Sequence, residues 1–533
     1  MTQTFDFLSV SDFPTGFAYV AAALKRAGHE VFGLNLNNAR GYPTPYDVLQ
    51  FKLPDAVKEA KPDLIGLGGL CIDYRFNRDA IQFIRKLDPT IPIVLGGSII
   101  THDAEFIFNT LKPDFCVIGD AEEAVVQLVS AIEGDKDYSH IANLGYWEKG
   151  TAVFTETDYN YPDINQRPHP DYEPFNVKDM VDNYSMATRL MYAYTRPYAR
   201  TMPIVTARGC PFNCTFCIHQ RGPRYRAHSI EYIMEEIGIL LDLYKFNILI
   251  IDDELFAVNK QRMKDFCNAL IKARKEKGWD FDWLFQTHPN ARLDYETLML
   301  AKEAGCYLFA YGMESASPAV LKSMNKHSDP AQFIEAIKLA EEVGIGYGGN
   351  LLVGDPAETN ETLRETMEFF FRYCLDYPIF VVPVEPFPGS KIFEDCLERG
   401  LIPDKFEWYE TTLCGTGKHI NMTSLPDEVW NKTMHYLMVF IHTNFWIKST
   451  PATRIEEEAD SIKKPMVAIT GRLVRRVWAV CPHCHEEVFY RGMMGGIPPV
   501  TIFIPLCPKC HKAFSIKLLD KECLTTQAKE CII

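Results

Sequence analysis

No stretch of about 18 uninterrupted apolar residues occurs in the chain, which removes a membrane-spanning helix from the reading. The first residues, Met1-Thr2-Gln3-Thr4-Phe5-Asp6, lack the basic and apolar regions of a secretory signal, so the expected location is cytoplasmic. Positive charge is in deficit: 55 Lys and Arg against 70 Asp and Glu leave a formal net charge of -15. A surface of that sign does not attract a phosphate backbone broadly, and nucleic acid is not an expected partner. Long-range disorder is also missing, since 47% hydrophobic and 23% charged residues is the balance of a folded protein. What is plentiful is chain length and cysteine. The 533 residues suffice for about three domains. Sixteen cysteines without an export signal point to reduced thiols and metal ligation before disulfides. Seven of them fall in close-spaced motifs; the rest, such as Cys71, Cys267 and Cys374, are expected to pack as small apolar groups.

Three of the seven lie in Thr206-Ala207-Arg208-Gly209-Cys210-Pro211-Phe212-Asn213-Cys214-Thr215-Phe216-Cys217. Cysteines at i, i+4 and i+7 would share a helix face, but Gly209, Pro211 and Asn213 favour a loop. Iron-sulfur clusters are held by thiolates, normally one per iron. Three close cysteines with no fourth nearby predict a four-iron cluster with one iron open to a substrate.

Residues 1–145 alternate short apolar runs (5–9 and 31–36, then 64–69, 93–97 and 115–119, these three ending in glycine) with helical patterns (16–27, 78–87, 121–132). Such alternation predicts a parallel sheet covered on both faces, with any ligand beyond the carboxyl ends of its strands. Gly68-Gly69-Leu70, Gly96-Gly97-Ser98 and Gly119-Asp120-Ala121-Glu122 sit at those ends, where glycine admits a large planar or phosphate-bearing ligand. With Pro14-Thr15-Gly16-Phe17-Ala18-Tyr19, Ala27-Gly28-His29-Glu30-Val31 and Pro62-Asp63-Leu64-Ile65-Gly66 they form an ordered set. That set resembles the cobalamin-binding domain that precedes many radical S-adenosylmethionine enzymes. The resemblance implies cobalamin contacts at Ser11, Pro14, Thr15, Gly69, Leu70, Gly96, Gly97, Ser98, Gly119, Asp120 and Glu122. Nothing in residues 1–145 fits the Asp-x-His-x-x-Gly motif whose histidine binds cobalt from below, which implies cobalamin held base-off without a lower histidine.

Residues 146–200 crowd tyrosine and proline and are read as a connector packed between domains. From residue 201 six strand-helix units follow, with strands at 204–207, 248–251, 283–287, 308–312, 348–353 and 380–385. Chemistry in such barrels collects at the carboxyl ends of the strands, and the cysteine loop follows the first. Cys210, Cys214, Phe216 and Cys217 give the Cys-x-x-x-Cys-x-aromatic-Cys pattern and resemble the radical S-adenosylmethionine superfamily over about residues 200–400. The resemblance implies a 4Fe-4S cluster whose open iron chelates S-adenosylmethionine, with Phe216 near the adenine. It also implies that Gly312 and Glu314, in Tyr311-Gly312-Met313-Glu314-Ser315, receive the methionine amino group, and that Asn350 lies in the adenine-contact segment. Asp253, His288 and Glu385 follow the second, third and sixth strands and are candidates to position substrate or move protons; capping and packing are the plain alternatives.

After the barrel, 425–446 reads as a rim helix and 455–460 as a solvated acidic segment. Cys481-Pro482-His483-Cys484 and Cys507-Pro508-Lys509-Cys510 suit four thiolates around one structural metal, zinc first and a rubredoxin-like iron or an added iron-sulfur cluster as the alternatives, in a module that could dock a substrate or partner. The expected fold is α/β: a Rossmann-like, doubly wound cobalamin domain (1–145), a linker (146–200), a partial six-unit TIM-type barrel (201–400), a helical extension (401–475) and a zinc-ribbon-like module (476–533). The resemblance implies a cobalamin-dependent radical methyltransferase acting on an unactivated carbon, in which a deoxyadenosyl radical takes a hydrogen atom and methylcobalamin supplies the methyl group. Its partners would be a small-molecule, lipid or peptide substrate and a one-electron reductant such as flavodoxin or ferredoxin. A related enzyme without net methyl transfer is the alternative; a non-catalytic corrinoid or metal sensor is the third reading.

Overall fold

The computed structural model describes residues 15–36, 45–183, 194–218, 225–413, 419–457, 473–494, 502–503 and 505–517. Helix Thr15–Arg26 buries Ala18, Tyr19, Ala21, Ala22 and Ala23 and places Lys25 and Arg26 at its carbonyl end, where cations are favoured. Strands Ile65–Gly68, Ile93–Gly96 and Phe115–Val117 then pair in parallel in chain order. Alternation along them feeds two cores. Ile93, Leu95 and Cys116 pack with Ile81, Ile84 and Phe108 on one face, and Val94, Phe115 and Val117 with Ala124 and Leu128 on the other. Burial on both faces is what a parallel sheet requires. The sheet runs past residue 145 into the antiparallel hairpin Leu144–Glu148 and Thr151–Phe154. Residues 31–36, expected as a strand, have no ladder partner among the described residues, and Phe32 and Leu34 are exposed. A strand needs a neighbour for its backbone groups. The candidate neighbour, 5–9, lies outside the described residues.

The second sheet has six parallel strands, Thr201–Ile204, Ile248–Ile251, Asp282–Thr287, Cys306–Glu314, Gly346–Val353 and Ile379–Pro383, each bonded to the next in chain order. The first ends at Ile204 instead of continuing to Ala207, which belongs to a separate two-residue ladder. On the outer face, Leu249, Ile251, Trp283, Phe285, Phe309 and Tyr347 pack in one core with residues of helices Ile230–Tyr244, Lys260–Lys277 and Pro330–Val343. Ser229, Asn259 and Asp329 cap these helices by accepting from first-turn N–H groups. The inner face changes character along its height. Near the amino end, Ile248, Ile250, Leu284 and Leu308 share a core with Val477, Ala479, Cys481, Cys507 and Phe514. Higher up, Gly312 aligns with Asn350 and Phe380, and Leu352 with Val382. Phe380 and Val382 remain 36% and 38% exposed, so the upper lumen is open and partly apolar.

The chain after the barrel returns to the first sheet. Ile392, Phe393, Trp408, Tyr409 and Leu413 join the core that contains Tyr74 and Phe108. Helix Asp427–Ile447 then lies on the barrel rim, with the Trp430 ring 2.9 Å from where a Cβ on Gly354 would stand. Arg454–Glu457 is a strand antiparallel to Leu473–Val480, so the first part of the expected acidic segment is sheet; 458–460 lie outside the described residues. The side chains nevertheless reach water, Arg454 and Glu456 being 59% and 43% exposed. Among the described residues no helix is long and apolar enough to cross a membrane.

Candidate functional site

The residues before the first loop cysteine are held firmly. Asp253, buried at the end of the second strand, accepts from Thr206 N at 2.5 Å, Thr206 Oγ1 at 2.6 Å and Ala207 N at 3.0 Å. Arg262 donates to Thr206 O at 3.0 Å and to His228 O at 2.6 Å. Ala207–Arg208 pairs antiparallel with Arg226–Ala227. The chain therefore leaves a short ladder, carries Cys210, Cys214 and Cys217, and returns to the same ladder. Thr215 N donates to Met324 O at 3.0 Å and Asn325 Nδ2 to Asn213 O at 2.9 Å, tying the loop to the segment after the fourth strand. Burial, reinforced by the neighbouring thiols, pushes Cys217 up to about 12, so iron would have to displace its proton. Both oxygens of Asp253 serve the loop backbone and Thr206, and burial lifts its carboxyl to about 6 against those bonds. Its geometry is that of a positioning group.

The fourth strand ends in a bulge. Gly312 pairs with Asn350 and Glu314 with Leu351, leaving Met313 without a partner of its own. Bulges re-aim side chains; Glu314 takes φ +65° and, buried, accepts from Lys326 Nζ at 2.8 Å. A Cβ on Gly312 would stand 2.9 Å from that Nζ and would crowd Glu314 as well. The Lys326 ammonium also lies 5.9 Å from the centre of the Phe216 ring. Asn350 is exposed beside Gly312. His288 stacks on Phe212 at 3.9 Å. Its Nδ1 accepts from Asn290 N at 3.1 Å, which leaves Nε2 to donate to Lys326 O at 3.1 Å. Burial and the Lys326 charge push this imidazole down to about 3. Both ring nitrogens are thus engaged with backbone groups, and the ring braces Phe212. Glu385, beyond the last strand, pairs with His419 Nδ1, and that bond raises the His419 pKa. Lys326 and His419 carry no sequence signal, since each is defined by a partner 12 or 34 positions away.

Against this loop lies the carboxyl edge of the first sheet. Gly97 has φ +86°, and a Cβ there would stand 2.9 Å from Gly69 O. Nothing lies within 4 Å of the Cβ position on Gly96. Leu70 is 54% exposed beside it. An open shelf of glycine backbone edged by an apolar side chain fits a large planar ligand. Ser98 opens helix Ser98–Thr101 beside the shelf, and Gly119 N donates to Thr101 Oγ1 at 3.0 Å. His102 packs against Gly389, its Nδ1 2.5 Å from that residue's Cβ position. Thr15 begins its helix, whereas Ser11 and Pro14 lie outside the described residues. Asp120 and Glu122 are engaged with arginines. Asp120 Oδ2 is 3.0 Å from Arg167, 2.9 Å from Arg208 and 2.9 Å from Arg226. Glu122 Oε1 is 2.7 Å from both Arg167 and Arg208. Against the effect of burial, Arg208, Arg226 and Arg167 hold the Asp120 carboxyl down at about 2.

Residues 12–129 match the B12 binding domain family and residues 204–370 match the radical SAM superfamily. The chain joins a B12-binding domain to a radical SAM domain. An uncharacterised methyltransferase of Pyrococcus horikoshii is 27% identical over 392 residues, spanning 73% of this chain and 79% of the relative. The anaerobic magnesium-protoporphyrin IX monomethyl ester cyclase of Cereibacter sphaeroides is 25% identical over 436 residues, spanning 80% and 67%. Among solved structures, the radical S-adenosylmethionine methyltransferase TsrM from Kitasatospora setae, with cobalamin and a [4Fe-4S] cluster bound, aligns with a TM-score of 0.59 at 18% identity, covering 73% of this chain and 72% of that one. That likeness is one of fold.

A radical SAM domain implies a 4Fe-4S cluster and S-adenosylmethionine, and a B12-binding domain implies cobalamin. The four C-terminal thiols form a different site. Cys481, Cys484, Cys507 and Cys510 lie within 4.8 Å of one another, the gathering a single tetrahedral ion needs. Among the described residues no other set of three or more such ligands is drawn together in this way. His483 N and Lys509 N each point at a thiol sulfur, of Cys481 and Cys507, at 3.4 Å. His485 and His511, each just past a knuckle, hold φ of +63° and +60°. The module sits beneath the radical SAM barrel: Ala513 N donates to Asp376 O at 2.7 Å, Lys512 pairs with Glu341 at 3.2 Å, and His511 Nδ1 is 3.0 Å from Tyr194 Oη.

Proposed function

We propose that the protein is a cobalamin-dependent radical S-adenosylmethionine methyltransferase acting on an unactivated carbon. The observation that carries this reading is the meeting of the two domains at the cysteine loop, where Asp120 and Glu122, just past the third strand of the first sheet, grip Arg208, two residues before Cys210. Two of the three likenesses above, one in sequence and one in fold, are to methyltransferases.

On this reading Cys210, Cys214 and Cys217 hold the cluster, and Gly312, Glu314, Asn350 and Phe216 receive S-adenosylmethionine. Gly69, Leu70, Gly96, Gly97 and Ser98 carry cobalamin base-off, and Cys481, Cys484, Cys507 and Cys510 hold a structural zinc. When bound, these groups supply hydrogen-atom abstraction and a methyl donor. The chain's own residues orient and exclude. Asp253 and Arg262 fix the loop entrance, His288 braces Phe212 of the loop, and Tyr194 with the zinc module closes the lower lumen to water. Glu385 and His419 stand where a proton can be held at the mouth. The substrate, a small molecule, lipid or peptide, enters above Phe380 and Val382. A one-electron reductant such as flavodoxin or ferredoxin serves the cluster, and the protein works in the cytoplasm. The division into cobalamin domain, linker, barrel, extension and zinc module belongs to the same proposal, with the first sheet carried past 145 to Phe154 and the module's sheet beginning at Arg454.

A second reading, cobalamin-assisted oxidation or ring closure without net methyl transfer, is favoured by the likeness to the cyclase. The test is turnover of the reduced, reconstituted full chain with methyl-deuterated S-adenosylmethionine and an extract of the source organism. Label in an extract component supports methyl transfer. Deoxyadenosine formation with no label in any component supports the second reading.

A further inference from the structure

The sequence offers Asp120 and Glu122 as ligand contacts at a strand end, but their geometry gives them another task. Arg208 and Arg226 are direct partners across the short ladder that closes the base of the cysteine loop. Like charges directly opposite on a ladder repel, and here both guanidinium groups are largely buried, at 11% and 13% side-chain exposure. A single oxygen, Asp120 Oδ2, lies 2.9 Å from each. Arg167 of the connecting segment reaches the same oxygen at 3.0 Å, and Glu122 joins Arg167 to Arg208 at 2.7 Å each. The flanks are aromatic: the Arg208 guanidinium lies 4.5 Å from the Tyr19 ring centre and Arg226 4.5 Å from that of Tyr161. Tyr161 Oη in turn accepts from Asp120 N at 3.4 Å. Asp120 of the B12-binding domain therefore touches both ends of the loop base as well as the connecting segment.

We infer that Asp120, supported by Glu122, is a positioning residue for the iron-sulfur cluster: a carboxylate of one domain that holds shut the loop of the other. Without it, two facing arginines and a third from the linker are left buried with one carboxylate among them, and the ladder at the loop base opens. The inference rests on the proposal that Cys210, Cys214 and Cys217 bind a cluster. It adds that the loop is complete only when the B12-binding domain is docked.

The experiment uses the full chain, reconstituted anaerobically with iron and sulfide, and follows iron release to a ferrous chelator together with the electron paramagnetic resonance of the reduced cluster. Asp120→Asn is expected to release iron about tenfold faster than the parent, a modest effect for removing one partner of a buried ion pair. Its cluster spectrum should be altered and its urea unfolding midpoint should fall, because uncompensated charge is left buried. Glu122→Gln, which leaves Asp120 in place, should lie between the two. The deciding variant is Asp120→Asn with Arg226→Gln, which removes the repulsion along with the counter-ion and should return the release rate to within about twofold of the parent. Asp120→Asn releasing iron at the parent rate, or a double variant no slower than the single, overturns the inference and leaves the cluster assignment standing. A parent chain that takes up no iron at the loop overturns both.

Discussion

Glu236 shows how strongly position decides a side chain's behaviour in this protein. It lies on helix Ile230–Tyr244, buried, and its Oε1 has no hydrogen-bond partner among the described residues. A charged carboxylate there is expensive. Burial first, and the Asp253 charge second, push its carboxyl from 4.5 up to about 8, with Arg208 opposing. The folded state thus binds a proton that the unfolded state has lost between about pH 4.5 and pH 8, and stability falls as pH rises through that window. Glu236→Gln is expected to leave the urea midpoint unchanged at about pH 5 and to raise stability by on the order of 2 to 4 kcal/mol near pH 9. Equal gains at both pH values would mean that the substitution acts through packing and that Glu236 is not held protonated. Asp253 titrates in the same direction over a narrower window, ending at about 6, so the two acids together favour a mildly acidic optimum of stability.

At the scale of the element, what repeats in the sequence was readable and what depends on distant partners was not. The barrel helices and glycine-ended strands follow from periodicity, and Ser229, Asn259 and Asp329 mark their starts. The two cysteine motifs stand out because their chemistry needs close spacing. By contrast, the bulge that re-aims Glu314 depends on the register against Gly346–Val353. Arg167, Arg208 and Arg226 meet Asp120 across 47, 88 and 106 positions. No local pattern encodes such a meeting. The C-terminal thiols show both sides of this: their ligand pattern is local, but the location of the module is not. It is the floor of the barrel, where Tyr490 and Leu506 share a core with Ile248, Ile250 and Leu308. Removing the metal proposed at these thiols with a chelator, or Cys484→Ser, is therefore expected to lower the melting temperature of the barrel itself by on the order of 10 °C. Calorimetry with metal analysis checks this; an unshifted barrel transition after complete metal loss would show that the module merely hangs from the chain.

For the molecule as a whole, the proposed chemistry asks two domains to present their cofactors to one substrate, so the angle between them matters as much as either site. Two joints set it. One is the ionic joint at Asp120. The other is apolar and is made by a segment far along the chain: the fully buried Tyr409 places its ring 5.0 Å from Tyr74 and 5.2 Å from Phe106 of the first domain. Tyr409 Oη donates to Asp103 at 3.0 Å and Lys405 pairs with the same carboxylate at 2.7 Å. Tyr409→Ala removes a large buried ring and one buried bond, a loss of about 3 to 5 kcal/mol, taken from the joint and from neither cofactor site. Each domain should still load its cofactor, because the cysteine loop and the glycine shelf are untouched. Misplacement by even about 1 Å is costly to a reaction that depends on alignment. Deoxyadenosine formation, which needs the barrel and a loop still held at Asp120, is thus expected to persist in Tyr409→Ala while label transfer from methyl-deuterated S-adenosylmethionine falls at least about tenfold. Loss of both in equal proportion would show that the joint serves the fold alone, and that alignment of the two domains is set entirely at Asp120.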